Sequence, residues 1–411
     1  MNIYLVIILL ALIGNWLLNA ITGYLNLKVL TPELPDEFKE EYDAEKYENS
    51  QEYTRAKTSF QQISGTVHMF LLVGFILLGG YNWVDSLVRS WALPELVTGL
   101  LFFGVLFLLS QIISLPFGIY GAFVVEERFG FNRITPTTFT LDLLKSWLLT
   151  IVLVGAILTG IIALFSYAGP LGWLWAWGVV ALFIIAMPTL FVKLIAPLFN
   201  KFTPLDEGEL KEAISEYAEK VSFALSGVFV VDGSRRSGHS NAYFTGMGRV
   251  KRIVLYDTLV EKHTTEELVA VLAHEVGHYR MKHVSKRIAL SVIQSGVMLF
   301  LMSLFIGNQG LFEAFRMEQL SIYAAILFFQ LLFAPLGLLL QPWLKAMERR
   351  HEYAADAWAV ESTGGDAAQM IAGLKRLAVE NLSNLTPHPL DVVLNYDHPP
   401  VLKRISALRE L

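Results

Sequence analysis

Long apolar stretches separated by polar loops dominate the chain. A helix needs about 20 mainly apolar residues to cross roughly 30 Å of hydrocarbon. Stretches meeting that requirement lie at 2–22, 63–81, 97–117, 147–167, 173–194, 288–306 and 322–340, about seven in all. The fourth and fifth are divided only by residues 168–172 and predict a tight hairpin. No Lys or Arg precedes the first stretch and no small-x-small cleavage signal follows it before Leu30, so it reads as a retained span. The third carries Ser110, Gln111 and Pro116, and the sixth Ser291, Gln294 and Ser295. Polar residues at such depth face other helices or a wet cavity.

Loop charges orient the spans. Lys28, Lys39, Lys46, Arg55 and Lys57 follow the first stretch, and only Arg89 lies in the next loop. Arg128, Arg133 and Lys145 come third, the fourth loop has no basic residue, and the sixth has only Arg316. Both the segment after the fifth stretch and the tail are again rich in Lys and Arg. This alternation predicts an N-terminus outside and both large polar segments in the cytoplasm. The expected organisation is an N-terminal membrane domain at 1–199, with spans one to five and a helical cytoplasmic loop at 23–62. One polar domain is then assembled from 200–287 and 341–411 around spans six and seven at 288–340. The fold class is thus an α-helical multi-spanning membrane protein with an α+β cytoplasmic domain.

Within the first polar segment, 210–223 has helical periodicity, while Gly227–Val231 and Arg252–Tyr256 are short β-branched runs. Between them, the glycine-flanked run Ser-Gly-His-Ser-Asn-Ala-Tyr-Phe-Thr-Gly (237–246) suits a hairpin or edge strand. Residues 35–65 alternate acids and bases and predict a surface helix running into span two.

Composition narrows the chemistry. The chain has 411 residues, 54% hydrophobic and 17% charged, whereas a soluble chain carries about 25% charged residues. A net charge of −5 gives no footprint for nucleic acid. With no cysteine, disulfides, thiolate ligands and cysteine nucleophiles are excluded, and His, Asp and Glu are left to hold any metal.

The sharpest motif is His274-Glu275-Val276-Gly277-His278. Thr264 and Glu267 form a capping box ahead of it, so the motif lies on a helix with its two imidazoles one turn apart and able to reach one cation. Glu275 is rotated off the ligand direction, where it can activate the metal's water. A catalytic zinc needs three protein ligands and one open position. The metzincin pattern fails, because Met281 and Val284 occupy its positions and His283 is out of register. Glu352 and Asp356 are one turn apart after span seven; one carboxylate can bind metal while the other holds a ligand imidazole.

These features together resemble the type I CAAX prenyl endopeptidases, integral-membrane zinc proteases, which implies that the α+β cytoplasmic domain is a zincin-like catalytic domain. The resemblance runs nearly end to end, through residues 43–60, Glu126-Glu-Arg-Phe-Gly-Phe-Asn132, residues 197–204, His239-Ser-Asn-Ala-Tyr-Phe-Thr-Gly246, residues 251–257, the His pair, Glu352 with Asp356, and His398-Pro-Pro400. It implies one Zn2+ per chain on His274, His278 and Glu352, with Asp356 supporting a ligand and His398 stabilising the tetrahedral intermediate. It also implies a chamber among the helices, consistent with the polar residues of spans three and six. Peptide or protein substrates, including prenylated ones, would lie along 241–244 (Asn241, Ala242, Tyr243 and Phe244) as an added strand. His388 and Arg404 are weaker candidates, and lone His68 reads as structural. The short sixth loop at 307–321 favours a prokaryotic member in the cytoplasmic membrane; a eukaryotic one would sit in the endoplasmic reticulum. A membrane quality-control protease would share this chemistry. A transporter or scaffold with a structural zinc would need a closed, usually cysteine-rich site, which this composition does not offer.

Overall fold

The structure, a computed structural model, describes residues 2–245 and 252–411. Seven helices are long and apolar enough to cross a membrane: Ile3–Val29, Ala44–Leu77, Glu95–Glu126, Pro136–Tyr167, Gly169–Phe199, His283–Phe305 and Ile322–Thr363. Each contains one of the seven apolar stretches or nearly all of it, but the ends differ for local reasons. Span two stops at Leu77, because Gly79 takes a left-handed φ of 76° and Gly80–Arg89 forms a separate helix. The charged segment does run into span two as one helix, yet it starts at Ala44 and not near residue 35. Asp43 caps it by accepting the Lys46 N–H at 2.7 Å, after a short turn at Asp36–Phe38. The third and fifth spans each carry a proline, Pro116 and Pro188, and then a wider helical turn at Gly121–Glu126 and Phe191–Ile195.

The seventh helix positions the site. Its 42 residues extend about 63 Å at 1.5 Å per residue, roughly twice the hydrocarbon thickness. It therefore continues beyond the bilayer, past two internal prolines, Pro335 and Pro342, and carries Glu352 and Asp356. It stops at Gly364 and Gly365, whose φ values of 125° and 88° exclude most side chains.

The polar part is built on a four-stranded sheet of β1 (Phe202–Pro204), β2 (Gly227–Val231), β3 (Ala242–Thr245) and β4 (Arg252–Tyr256), in the order β1-β2-β4-β3. β2 and β4 are parallel, and the other two pairs antiparallel. β3 is thus an edge strand. Gly246 and Lys251 of the quoted motifs, and the Phe244 side chain, lie outside the described residues.

The His-pair helix, Thr265–Arg280, starts at the expected capping box. It packs between the sheet and the seventh helix in a core that includes Ile253, Leu255, Leu268, Leu272, Val276 and Ala359. Leu374 and Leu408 from the tail join that core, so both polar segments bury side chains together. Gly277 allows the closest approach. A Cβ there would lie 3.2 Å from both Ala355 Cα and Ala355 O, and 3.0 Å from Trp358 Cδ1. Ala355 sits between Glu352 and Asp356 on the seventh helix, so this contact brings their carboxylates up to the His pair.

The tail is pinned to the spans. Asn26 of span one donates to Asp391 at 2.5 Å and accepts the His388 N–H at 2.7 Å. Arg349 of the seventh helix donates to the Val392 and Tyr396 carbonyls, both at 2.8 Å. Those anchors lead into His398-Pro-Pro and the last helix, Val401–Arg409. His388 therefore caps the helix Pro389–Asn395.

Candidate metal centre and its chamber

Two helices supply a cluster of side chains that could hold a metal ion. His274, His278 and Glu352 each present an atom within 4.8 Å of the others. The two Nε2 atoms are 3.0 Å apart; Glu352 Oε2 is 3.4 Å from His274 Nε2, and Oε1 is 3.2 Å from His278 Nε2. Ligand atoms about 2.0–2.1 Å from a tetrahedral zinc lie about 3.3 Å from one another, so this donor set fits that ion. Glu352 Oε2 is buried and has no hydrogen bond; the His274 and His398 rings at 3.4 Å and Arg404 at 3.8 Å stand near without bonding it, an expensive arrangement that a cation bound at the cluster would relieve.

Asp356 supports His274 from behind. Its Oδ1 lies 2.7 Å from His274 Nδ1, which leaves Nε2 turned towards the metal position. Arg404 grips Asp356 through two bonds of 2.6 and 2.8 Å. Burial pushes the His274 imidazolium pKa down, but the Asp356 and Glu352 carboxylates outweigh it and hold it at about 9. The carboxylates that attract this proton equally attract a cation, and the imidazole must release the proton to ligate. His278 has an analogous support that sequence spacing did not single out: His283 Nδ1 is 3.0 Å from its Nδ1, and His351 stacks on His283 at 3.9 Å.

Glu275 is half-buried and, among the described residues, has no hydrogen bond or ion pair. His398 places Nε2 3.4 Å from Glu352 Oε2, while Asp397 holds its Nδ1 at 2.9 Å. Arg404, a weaker candidate from sequence, belongs to this cluster, with Nη1 3.8 Å from Glu352 Oε2. His388 lies with the tail anchor instead.

The site opens on a cavity of about 1360 Å³ that touches Asn241, Tyr256, His398 and Arg404. Its polar wall corrects the sequence reading. Asn15, Asn19, Gln61 and Gln62, from spans one and two, line it, and the polar residues of spans three and six do not. Gln111 instead accepts the Trp147 Nε1–H at 2.9 Å, and Ser295 donates to the Val292 carbonyl at 2.8 Å. His68 faces the cavity while bonded to the Ser64 carbonyl at 2.7 Å and Ser114 at 3.1 Å.

β3 runs along the His-pair helix with its outer edge unpaired among the described strands. The Asn241 carbonyl accepts the Tyr256 N–H at 3.0 Å, so by antiparallel alternation the free-edge N–H and C=O groups belong to Ala242 and Phe244. His239, just before β3, joins three of the motifs. It stacks on Phe131 at 3.8 Å, and its Nε2 lies 3.3 Å from Glu126 and 3.4 Å from the Tyr53 hydroxyl. Asn381 completes the junction by accepting the Ser240 N–H at 3.0 Å.

A His-His-Glu cluster beside an open cavity, at the foot of a seven-span bundle, defines a membrane-embedded zinc metalloendopeptidase. Comparisons with known proteins agree. Residues 23–201 match the CAAX prenyl protease N-terminal domain of five membrane helices, and residues 204–411 match peptidase family M48. The chain belongs to peptidase family M48, in its multi-pass membrane branch. It is 36% identical to the CAAX prenyl protease 1 homolog of Oryza sativa, over 92% of this chain and 91% of that protein. It is 33% identical to CAAX prenyl protease 1 of Saccharomyces cerevisiae, over 93% and 89%. The crystal structure of S. mikatae Ste24p superposes with a TM-score of 0.93 at 30% identity, covering 99% of each chain.

Proposed function

We propose that this chain cleaves peptides near prenylated, CAAX-like C-termini, admitting them through the chamber. The observation that carries this reading is the continuity of the 1360 Å³ cavity from the walls of spans one and two to Asn241 and His398. A peptide reaching the metal by that route leaves a C-terminal lipid chain among the helices. The names of the relatives support the same substrate class.

His274, His278 and Glu352 hold the zinc, and Asp356 fixes the His274 tautomer. Bound there, zinc would lower the pKa of a water and polarise the scissile carbonyl. Glu275 takes the proton of the attacking water and passes it to the leaving amine, a role suited to its unpaired carboxylate. His398 donates to the developing oxyanion. The free edge of β3 holds the substrate backbone, with Asn241, Ala242, Tyr243 and Phe244 as its docking strand. The loop charges support an N-terminus outside and a cytoplasmic catalytic part.

The test compares two peptides of one CAAX sequence, farnesylated and bare, with the full chain in lipid nanodiscs and mass spectrometry of the products. Burying even two methylenes' worth of the farnesyl chain, at about 0.8 kcal/mol each, is worth roughly tenfold, so the prenylated peptide should show at least about tenfold higher kcat/KM. Equal cleavage of both would remove the prenyl specificity and leave a general membrane endopeptidase.

A further inference from the structure

Where spans four and five meet the catalytic part, a second cavity of about 290 Å³ lies between helix ends, well separated in sequence from the His pair. Its charged lining is Lys145, Lys201, Arg235 and Arg236 against the single carboxylate of Asp142. Asp142 is already committed: Arg236 bonds it through Nε at 2.7 Å and Nη2 at 3.1 Å. Lys145 Nζ donates to the Leu198 carbonyl at 2.8 Å, which ties the end of span five to the start of span four. Lys201 and Arg235 are exposed, and among the described residues their side chains make no hydrogen bond or ion pair. On the other face of the 197–201 segment, a cavity of about 580 Å³ adds Lys193 and Arg252 to the same cationic belt.

The surface beside this belt has the opposite character. Leu141 and Leu144 of span four are 51% and 52% exposed, and Leu194 and Leu198 of span five 61% and 49%. In a seven-span protein such leucines face acyl chains. Lys201 and Arg235 lie beyond the ends of these two spans, while Lys145 sits among the leucines, and basic clefts between span ends are suited to phospholipid phosphates.

We propose that this cleft binds the phosphodiester headgroup of an anionic phospholipid from the leaflet next to the catalytic part. Lys201 and Arg235 contact the phosphate, and the acyl chains lie along Leu141, Leu144, Leu194 and Leu198. An inorganic phosphate satisfies the cations but leaves the leucines uncovered, so the site favours the lipid. The occupant also has a structural effect. Lys201 precedes β1 and Arg235 lies in the loop before His239 and β3, so one headgroup bridges the membrane ends to the segment leading into the docking strand.

The experiment uses delipidated full-length protein in neutral detergent, titrated with phosphatidylglycerol or phosphatidylcholine and read by native mass spectrometry. A parallel titration adds inorganic phosphate as competitor. The comparison is Lys201→Gln/Arg235→Gln, whose two exposed side chains make no hydrogen bond or ion pair among the described residues; unchanged cleavage in detergent confirms its folding. The expected result is that phosphatidylglycerol binds wild type roughly 30-fold more tightly than phosphatidylcholine, and that the double variant loses this preference. Millimolar phosphate should not displace the lipid. A variant that keeps the preference, a wild type that lacks it, or displacement by phosphate alone each overturns the assignment.

Discussion

Gly277→Ala isolates the contact that assembles the metal centre. The new Cβ would meet Ala355 Cα and Ala355 O at 3.2 Å and Trp358 Cδ1 at 3.0 Å, whereas carbon contacts settle at about 3.5–4.0 Å. Two of those atoms are backbone in the middle of a helix and cannot rotate aside. The His-pair and seventh helices must therefore separate by a few tenths of an ångström. His274 and His278 lie on one helix and Glu352 on the other, at 3.4 and 3.2 Å, while a zinc site tolerates about ±0.2 Å in its ligand distances. Overpacking costs about 1–3 kcal/mol. If that cost falls on the metal-bound form, zinc affinity drops about 5- to 150-fold. Competition between the purified variant and a calibrated zinc chelator measures the affinity, and thermal unfolding of the metal-free protein measures stability separately. An unchanged zinc affinity alongside lowered stability would refute the reasoning, because helix spacing would then not set ligand spacing.

Three other expectations follow from the same geometry. Glu352→Ala should abolish stoichiometric zinc in metal analysis, whereas Asp356→Ala should weaken affinity about 10- to 100-fold; the reverse order would exchange their roles. Methylating successive amides of a substrate peptide should weaken inhibition with a period of two, by about 2- to 10-fold where a ladder bond of 0.5–1.5 kcal/mol is lost; a flat profile removes the role of β3 as a docking edge. Reporter fusions should place the N-terminus and residues 307–321 outside and the His-pair segment and C-terminus in the cytoplasm; finding the N-terminus on the cytoplasmic side would overturn the orientation read from the loop charges.

What the sequence revealed and what it concealed divide on physical lines. The spans were legible because hydrocarbon demands long apolar runs, and Gly227–Val231 and Arg252–Tyr256 because β-branched residues cluster there. The His-pair helix announced itself through its capping box and the four-residue spacing of its imidazoles. The polar residues of spans three and six do not mark the chamber wall, because burial partners, not residue types, decide where a polar side chain faces. Gln111 is satisfied by Trp147, while Asn15 and Asn19, inside an apolar run, face the cavity. Helix ends shifted wherever a cap or a left-handed glycine outweighed hydropathy, as at Asp43 and Gly79. The junction of Tyr53, Glu126, His239 and Asn381 was out of reach, since its members come from four separate segments. The resemblance marked some of those stretches, and only the fold shows that they meet. His283 is out of register for a third ligand; its contact with His278 depends on Lys282 taking a left-handed turn between two helices, with φ at 57°.

The central claim is that the chain carries a catalytic zinc whose water is activated by Glu275. Its most direct test is Glu275→Gln, purified in lipid nanodiscs, with zinc content and peptide cleavage measured on the same sample. The account predicts one zinc per chain, as in the wild type, and cleavage reduced by about 10²- to 10⁴-fold, the usual contribution of a general base. Loss of the zinc together with the activity would make Glu275 a ligand, and full activity with zinc retained would place the base elsewhere; either result would contradict the account.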